Sequence, residues 1–323
     1  MDTVSLSDSA EDNDWGAKFV EGDWIGVGKI YDDEKLPLVV RSAKRAALSI
    51  PETYLIKSHL PSTALGVADF IKRELPYVSS ELISTKTAAW FSMDPPSINL
   101  DNFFSRSVPS AFFVGELERV FGQAWLDGAK SVVDVQFNDG RDRLPLWIIA
   151  FWRQVVDMVE MQKTWRHASR WLEHEAKRGY GEPTLKAIQK SQILLNDLGW
   201  NVVMPYGRNT TTTLQLSRFL GSRFLSDDHI TMMVEELARG EEMLPNGIKL
   251  ASITFSVEIE RVEMKLGLPQ SAYSKTLLCQ FKDQATQGKL RKLYYPLHVN
   301  GNHWVAGEID FTSTTISFGK STS

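Results

Sequence analysis

Thiols, imidazoles and carboxylates carry most hydrolytic and metal chemistry, and this chain of 323 residues holds one cysteine, Cys279, and six histidines. A single thiol excludes an internal disulfide framework and any zinc site built from several thiolates, and it fits a reducing compartment. Cys279 sits with Leu277, Leu278 and Phe281 in an apolar helical stretch and reads as a buried structural thiol, inert for want of an electropositive setting. His167 and His174 share a helix face about 10.5 Å apart along the axis, too far to hold one metal ion. Gly26-Val27-Gly28-Lys29 lacks the upstream glycine and the following Ser/Thr of a phosphate loop and reads as a turn. Asn209-Thr210-Thr211 is a glycosylation sequon that reads as polar linker, and Trp147, Trp152, Trp165 and Trp171 read as helix-packing core. The densest run of chemically capable residues is His298-Val299-Asn300-Gly301-Asn302-His303-Trp304, which continues through Glu308-Ile309-Asp310.

Several elements must position these groups. Ser110 to Leu126 carries Phe113, Leu117, Val120 and Phe121 at helical spacing, with Asp127-Gly128 as a stop. A longer helical pattern runs from Pro145 to Gly179 and would be about 51 Å long if unbroken. A shorter one follows over Pro183 to Leu198, and Thr63 to Leu75 and Trp24 to Val27 read as helix and strand. The run Tyr206 to Thr213 reads as a linker. Beyond it, Ser226 is placed to cap a helix with Asp227 and Asp228 in the first turn and Ile230, Met233, Val234 and Leu237 on one face. Strand patterns follow over Ile248 to Ile259, then a helix over Ser271 to Gln284. The end reads as a meander: Leu293, Tyr295, Leu297 and Val299 alternate, Asn300-Gly301 marks a hairpin turn, and strands follow over Trp304 to Phe311 and Thr315 to Phe318. These patterns predict an acidic disordered tail (1–14), a mixed region (15–100), a helical domain (101–205) and a last domain (206–323).

Charge narrows the partners. The net charge is −4, and Asp2, Asp8, Glu11, Asp12 and Asp14 supply five negative charges, so the remaining chain is near +1. That balance gives no strong nucleic-acid signal. The start has no apolar signal region, and the most apolar run, Leu144 to Trp152, is too short to cross a bilayer.

The segment His303-Trp304 to Ile309-Asp310, with Thr315-Ile316-Ser317-Phe318 after it, resembles the ubiquitin-like-protein-specific (SUMO-type) cysteine proteases, relatives of the adenovirus protease. Upstream, Phe224-Leu225-Ser226-Asp227 resembles the family's Trp-Leu-Asn/Ser-Asp element at the start of its first core helix. The resemblance implies an α+β chain, a helical N-terminal region followed by a partial papain-like, adenovirus-protease-like core. It implies a cysteine-type peptidase, intracellular in the cytoplasm or nucleus, that uses no cofactor and no metal. Its partner would be a ubiquitin-like modifier, cut after the C-terminal Gly-Gly. By the same resemblance His303 is the general base, Trp304 lines the tunnel for the Gly-Gly tail, Phe224 stands for a second tunnel Trp, and Asp227 faces the modifier.

Two departures predict that this polypeptide is inactive. A thiol protease needs a nucleophile, a base and a group that orients the base. A two-residue turn at Phe311-Thr312 would put residue 320 opposite His303, at the family's aspartate position. That residue is Lys320, which accepts no hydrogen bond and opposes an imidazolium. Glu308 and Asp310 fall on the other sheet face by parity. The family's Asp-Cys-Gly nucleophile element follows the acid, whereas Cys279 precedes His303 by 24 residues, far fewer than the ~130 of papain-like enzymes. Gly319-Lys320-Ser321 can be encoded with an internal GTAAGT, a splice-donor sequence, so residues 319 to 323 are expected to be intron read-through or a mis-called gene end. The alternative is a non-catalytic helical interaction protein with a vestigial protease half-core.

Overall fold

The computed structural model describes residues 36–81, 87–97, 103–133, 142–206, 209–239, 247–264, 277–299 and 303–319. The acidic tail, the strand expected at Trp24 to Val27, Gly26 to Lys29, the start of the helix expected from Ser271, the Asn300-Gly301 turn and Lys320 lie outside them. The chain divides into two units, Met1–Thr164 and Trp165–Ser323, with the division inside a helix rather than at 100/101 or 205/206.

In the first unit short helices α1 (Leu38–Ala47), α2 (Glu52–Lys57) and α3 (Val67–Lys72) precede strand β1 (Phe91–Ser92). Helix α4 (Ala111–Leu126) forms where the pattern predicted. Ser110 Oγ accepts from Phe113 N at 3.3 Å as an N-cap, and Gly128 at φ 102° allows the chain to leave the helix through a left-handed position. Strands β2 (Ser131–Val133) and β3 (Arg143–Pro145) complete a three-stranded antiparallel sheet. Val132 and Leu144 lie opposite each other there, both fully buried. The core gathers Trp90, Phe103, Phe113 and Trp152, with the Trp90 and Phe113 rings 4.1 Å apart. Helix α5 (Ile148–Glu175) is the long helix, and the division between the units falls after its Thr164.

In the second unit the C-terminal turns of α5 bury Trp165, Ala168 and Leu172, and Trp165 Nε1 donates to the Trp200 carbonyl at 2.9 Å. Helix α6 (Glu182–Asp197) carries Pro183 in its first turn, where a missing N–H costs nothing. The expected linker is instead a hairpin, β4 (Val203–Tyr206) antiparallel to β5 (Asn209–Thr212), because the β-branched threonines pair across it. A short helix α7 (Thr213–Leu216) leads on to α8 (Asp227–Arg239).

The last elements are β6 (Ile248–Leu250), α9 (Ile253–Met264), α10 (Leu277–Thr286), β7 (Lys292–Val299), β8 (His303–Asp310) and β9 (Thr315–Phe318). The meander forms as expected, with β6 added parallel to β7 and the order β6-β7-β8-β9. The strand expected over 248–259 is overturned beyond Leu250. Ile253, Phe255, Val257 and Ile259 alternate, yet in α9 Phe255 is buried, Ile259 packs beside it and Val257 faces solvent. A period of four satisfied the core where a period of two was predicted. Phe255, Leu278 and Phe281 of α9 and α10 pack against Leu293 and Tyr295 on one sheet face. The opposite face looks toward α8. The protein is thus mixed α and β, and among the described residues no helix is long and apolar enough to cross a membrane.

Candidate functional site

The β7–β8 hairpin places the His303-Trp304 pair. Val299 lies opposite His303 and His298 opposite Trp304, and successive strand residues point to opposite faces. Trp304 therefore shares a face with His298, and their rings lie 4.6 Å apart at 34°. Its indole Nε1 donates to the Leu225 carbonyl at 3.2 Å, tying the strand to the residues just before α8. Trp304, Tyr294 and the apolar side of α8, Ile230, Met233, Val234 and Leu237, line an apolar groove of about 270 Å³.

A residue the sequence reading passed over holds the start of α8. His229 is 1% exposed, with Nε2 3.1 Å from the Gln215 carbonyl and Nδ1 2.6 Å from Ser226 Oγ. A carbonyl only accepts, so Nε2 donates to Gln215, and the Ser226 hydroxyl meets the other ring nitrogen. The Phe219 ring meets His229 edge-on at 5.2 Å. The Ser226-x-x-His229 spacing was the available signal, since positions three apart on a helix meet. Ser226 thus ends on a side chain, while its carbonyl takes the His229 and Ile230 N–H groups.

The structure brings together three of the four predicted site residues only loosely. Trp304 lines the groove, Asp227 stands exposed in the first turn of α8, and Phe224 is 74% exposed and outside the groove lining. His303 is separated from Trp304 by strand parity and turns to the face that carries α9 and α10. There its Nε2 is buried with no hydrogen-bond partner among the described residues.

The turn after β8 also differs from expectation. The turn after β8 has four residues, Phe311 to Thr314, with Asp310 opposite Thr315, not the two residues expected. Asp310 causes this, because its Oδ1 accepts from Thr312 N at 2.8 Å and Ser313 N at 3.1 Å, holding the wider turn. The residue expected opposite His303, Lys320, lies outside the described residues.

Glu308 and Asp310 share the Trp304 face, as parity predicted. Lys292 Nζ lies 2.8 Å from Glu308 and 3.3 Å from Asp310. The hydrogen bond from Lys292 holds the Glu308 carboxyl below its ordinary value, and the turn amides, Ser313 first, do the same for Asp310. Cys279 is half-buried rather than buried, with Sγ 3.9 Å from Asp283 Oδ2 one turn along the same helix. Its neighbour is an anion, the opposite of the setting that activates a thiol. The arrangement can receive an apolar or extended segment beside Trp304, but it assembles no nucleophile–base–acid relay among the described residues. Comparison with family models, curated proteins and solved structures finds no match to the chain.

Proposed function

We propose that residues 206–323 form part of a papain-like cysteine-peptidase core of the ubiquitin-like-protease type, and that this polypeptide binds the tail of a ubiquitin-like modifier without cleaving it. The carrying observation is the Trp304 Nε1 to Leu225 carbonyl bond. It joins the two sequence elements on which the resemblance rests, His303-Trp304 and Phe224 to Asp227, which lie 79 residues apart. Beside that junction runs the apolar groove under α8. A Gly-Gly tail has no side chains, so an apolar groove walled by an indole can receive it closely. The same reading puts the protein in the cytoplasm or nucleus.

Catalysis is a different matter. His303 faces away from Trp304, Cys279 faces Asp283, and Glu308 and Asp310 are engaged by Lys292. None of these supplies the ordered thiolate–imidazole–carboxylate set that acyl transfer needs. Fluorescence anisotropy with a labelled SUMO-type modifier tests the binding. The wild type should bind the form ending in Gly-Gly, and Trp304→Ala should weaken binding about tenfold or more, as loss of a buried aromatic anchor does. A modifier lacking the two glycines should behave as the variant does. Equal affinity in all three measurements would overturn the proposal.

A further inference from the structure

The first unit holds a second cavity, unrelated to the groove, between α1 and α4. Its volume is about 540 Å³, within the roughly 300–1,000 Å³ usual for small-molecule sites. Arg41, Lys44 and Arg45 form one wall, spaced i, i+3, i+4 on a single face of α1, and Arg119 of α4 stands on the other. The carboxylates nearby are already engaged. Glu116 binds Arg119 at 2.7 Å and Glu118 binds Arg153 at 2.5 Å. Arg41 and Arg45 form no ion pair among the described residues.

Helix electrostatics account for part of this cluster and leave the rest. Lys44 and Arg45 stand in the last turn of α1, where a cation is favoured by the helix dipole. Arg41 stands near the N-terminal end, where a cation gains nothing from the dipole, and it adds like-charge repulsion at i+4 to Arg45. A bound anion removes that repulsion. Two guanidinium groups one turn apart suit phosphate oxygens, which they grip through paired N–H donors. The cavity also has an apolar lining in Leu48, Phe121 and Leu126. Gly122 keeps the α4 wall low, since a Cβ there would already meet Lys44 Nζ at 3.4 Å.

We infer that this cavity binds a phosphorylated small molecule with an apolar or planar body, of the nucleoside-phosphate class. The phosphates would lie on Arg41 and Arg45 and the ring against Leu48.

The test uses the full chain and a fluorescent ATP analogue, followed by anisotropy. Saturable binding is expected, displaced by unlabelled ATP, less well by inorganic pyrophosphate, and not by adenosine. Arg41→Ala should weaken it about tenfold and the Arg41→Ala/Arg45→Ala pair further, the size of a lost charge-assisted hydrogen bond. Both side chains are exposed, so the melting temperature should hold, and Lys186→Ala, a surface cation elsewhere, should leave binding unchanged. Absence of saturable binding, or a double variant that binds as tightly as Lys186→Ala, would overturn the inference. Pyrophosphate displacing as well as ATP would overturn the apolar-body part and leave a plain phosphate site.

Discussion

At the scale of single residues, small differences in environment decide what each group can do. Gly307 lies under the Tyr295 ring, and a Cβ there would fall 2.5 Å from its Cζ. Tyr295 cannot move aside, because it is buried edge-on against Phe255 at 5.0 Å. Gly307→Ala should therefore destabilise the protein by about 2 kcal/mol, an overpacking cost measurable by urea denaturation. Asp127 is a second case. It is 4% exposed at the C-terminal end of α4, where burial raises its carboxyl above the ordinary value and bonds from Gln123 Nε2 only partly offset that. A carboxyl raised in the folded state favours folding while protonated and loses that advantage as pH rises through its folded value. At neutral pH the buried charge also opposes the helix dipole. Asp127→Asn should raise stability by about 1 kcal/mol at pH 7, with the gain fading at acid pH as the raised wild-type carboxyl takes up its proton. Equal gains at both pH values would contradict this account.

At the scale of elements, turn geometry sets the register on which the site depends. The Phe311 to Thr314 turn holds Thr314 at φ 53°, a left-handed position costly for a β-branched residue. Thr314→Gly should stabilise the hairpin by about 1 kcal/mol, read as a higher denaturation midpoint with an unchanged slope. The Asp310 carboxylate beneath the turn is held low by the turn amides and Lys292. Its contribution is present above the unfolded carboxylate range and is lost as pH falls through its folded value. The alternation of Leu293, Tyr295 and Leu297, the Ser110 cap and the acidic start of α8 were legible because each is a local pattern with a local physical cause. Residues Ile253 to Ile259 were misread because alternation and helical spacing coexist there. The choice fell to Phe255, whose pocket lies between Tyr295 and Phe281.

At the scale of the whole molecule, the proposed tail-binding groove and the histidine lie on opposite faces of one sheet. The Trp304 junction draws together residues 225 and 304, while strand parity turns His303 to the opposite sheet face. With a fluorogenic SUMO-type substrate the wild type should give no turnover above the blank, and His303→Ala should be indistinguishable from it. Turnover that depends on His303 would show that the missing groups are assembled after all. Helix α4, the β7–β8–β9 meander, the single thiol and the adjacency of His303 and Trp304 were all legible in the sequence, because caps, periodicity and composition act over a few residues. Contacts across the fold settled the division inside α5, the helical state of 253–264 and the cavity between α1 and α4. Each of these rests on contacts between residues far apart in the chain, whose energies no local pattern encodes.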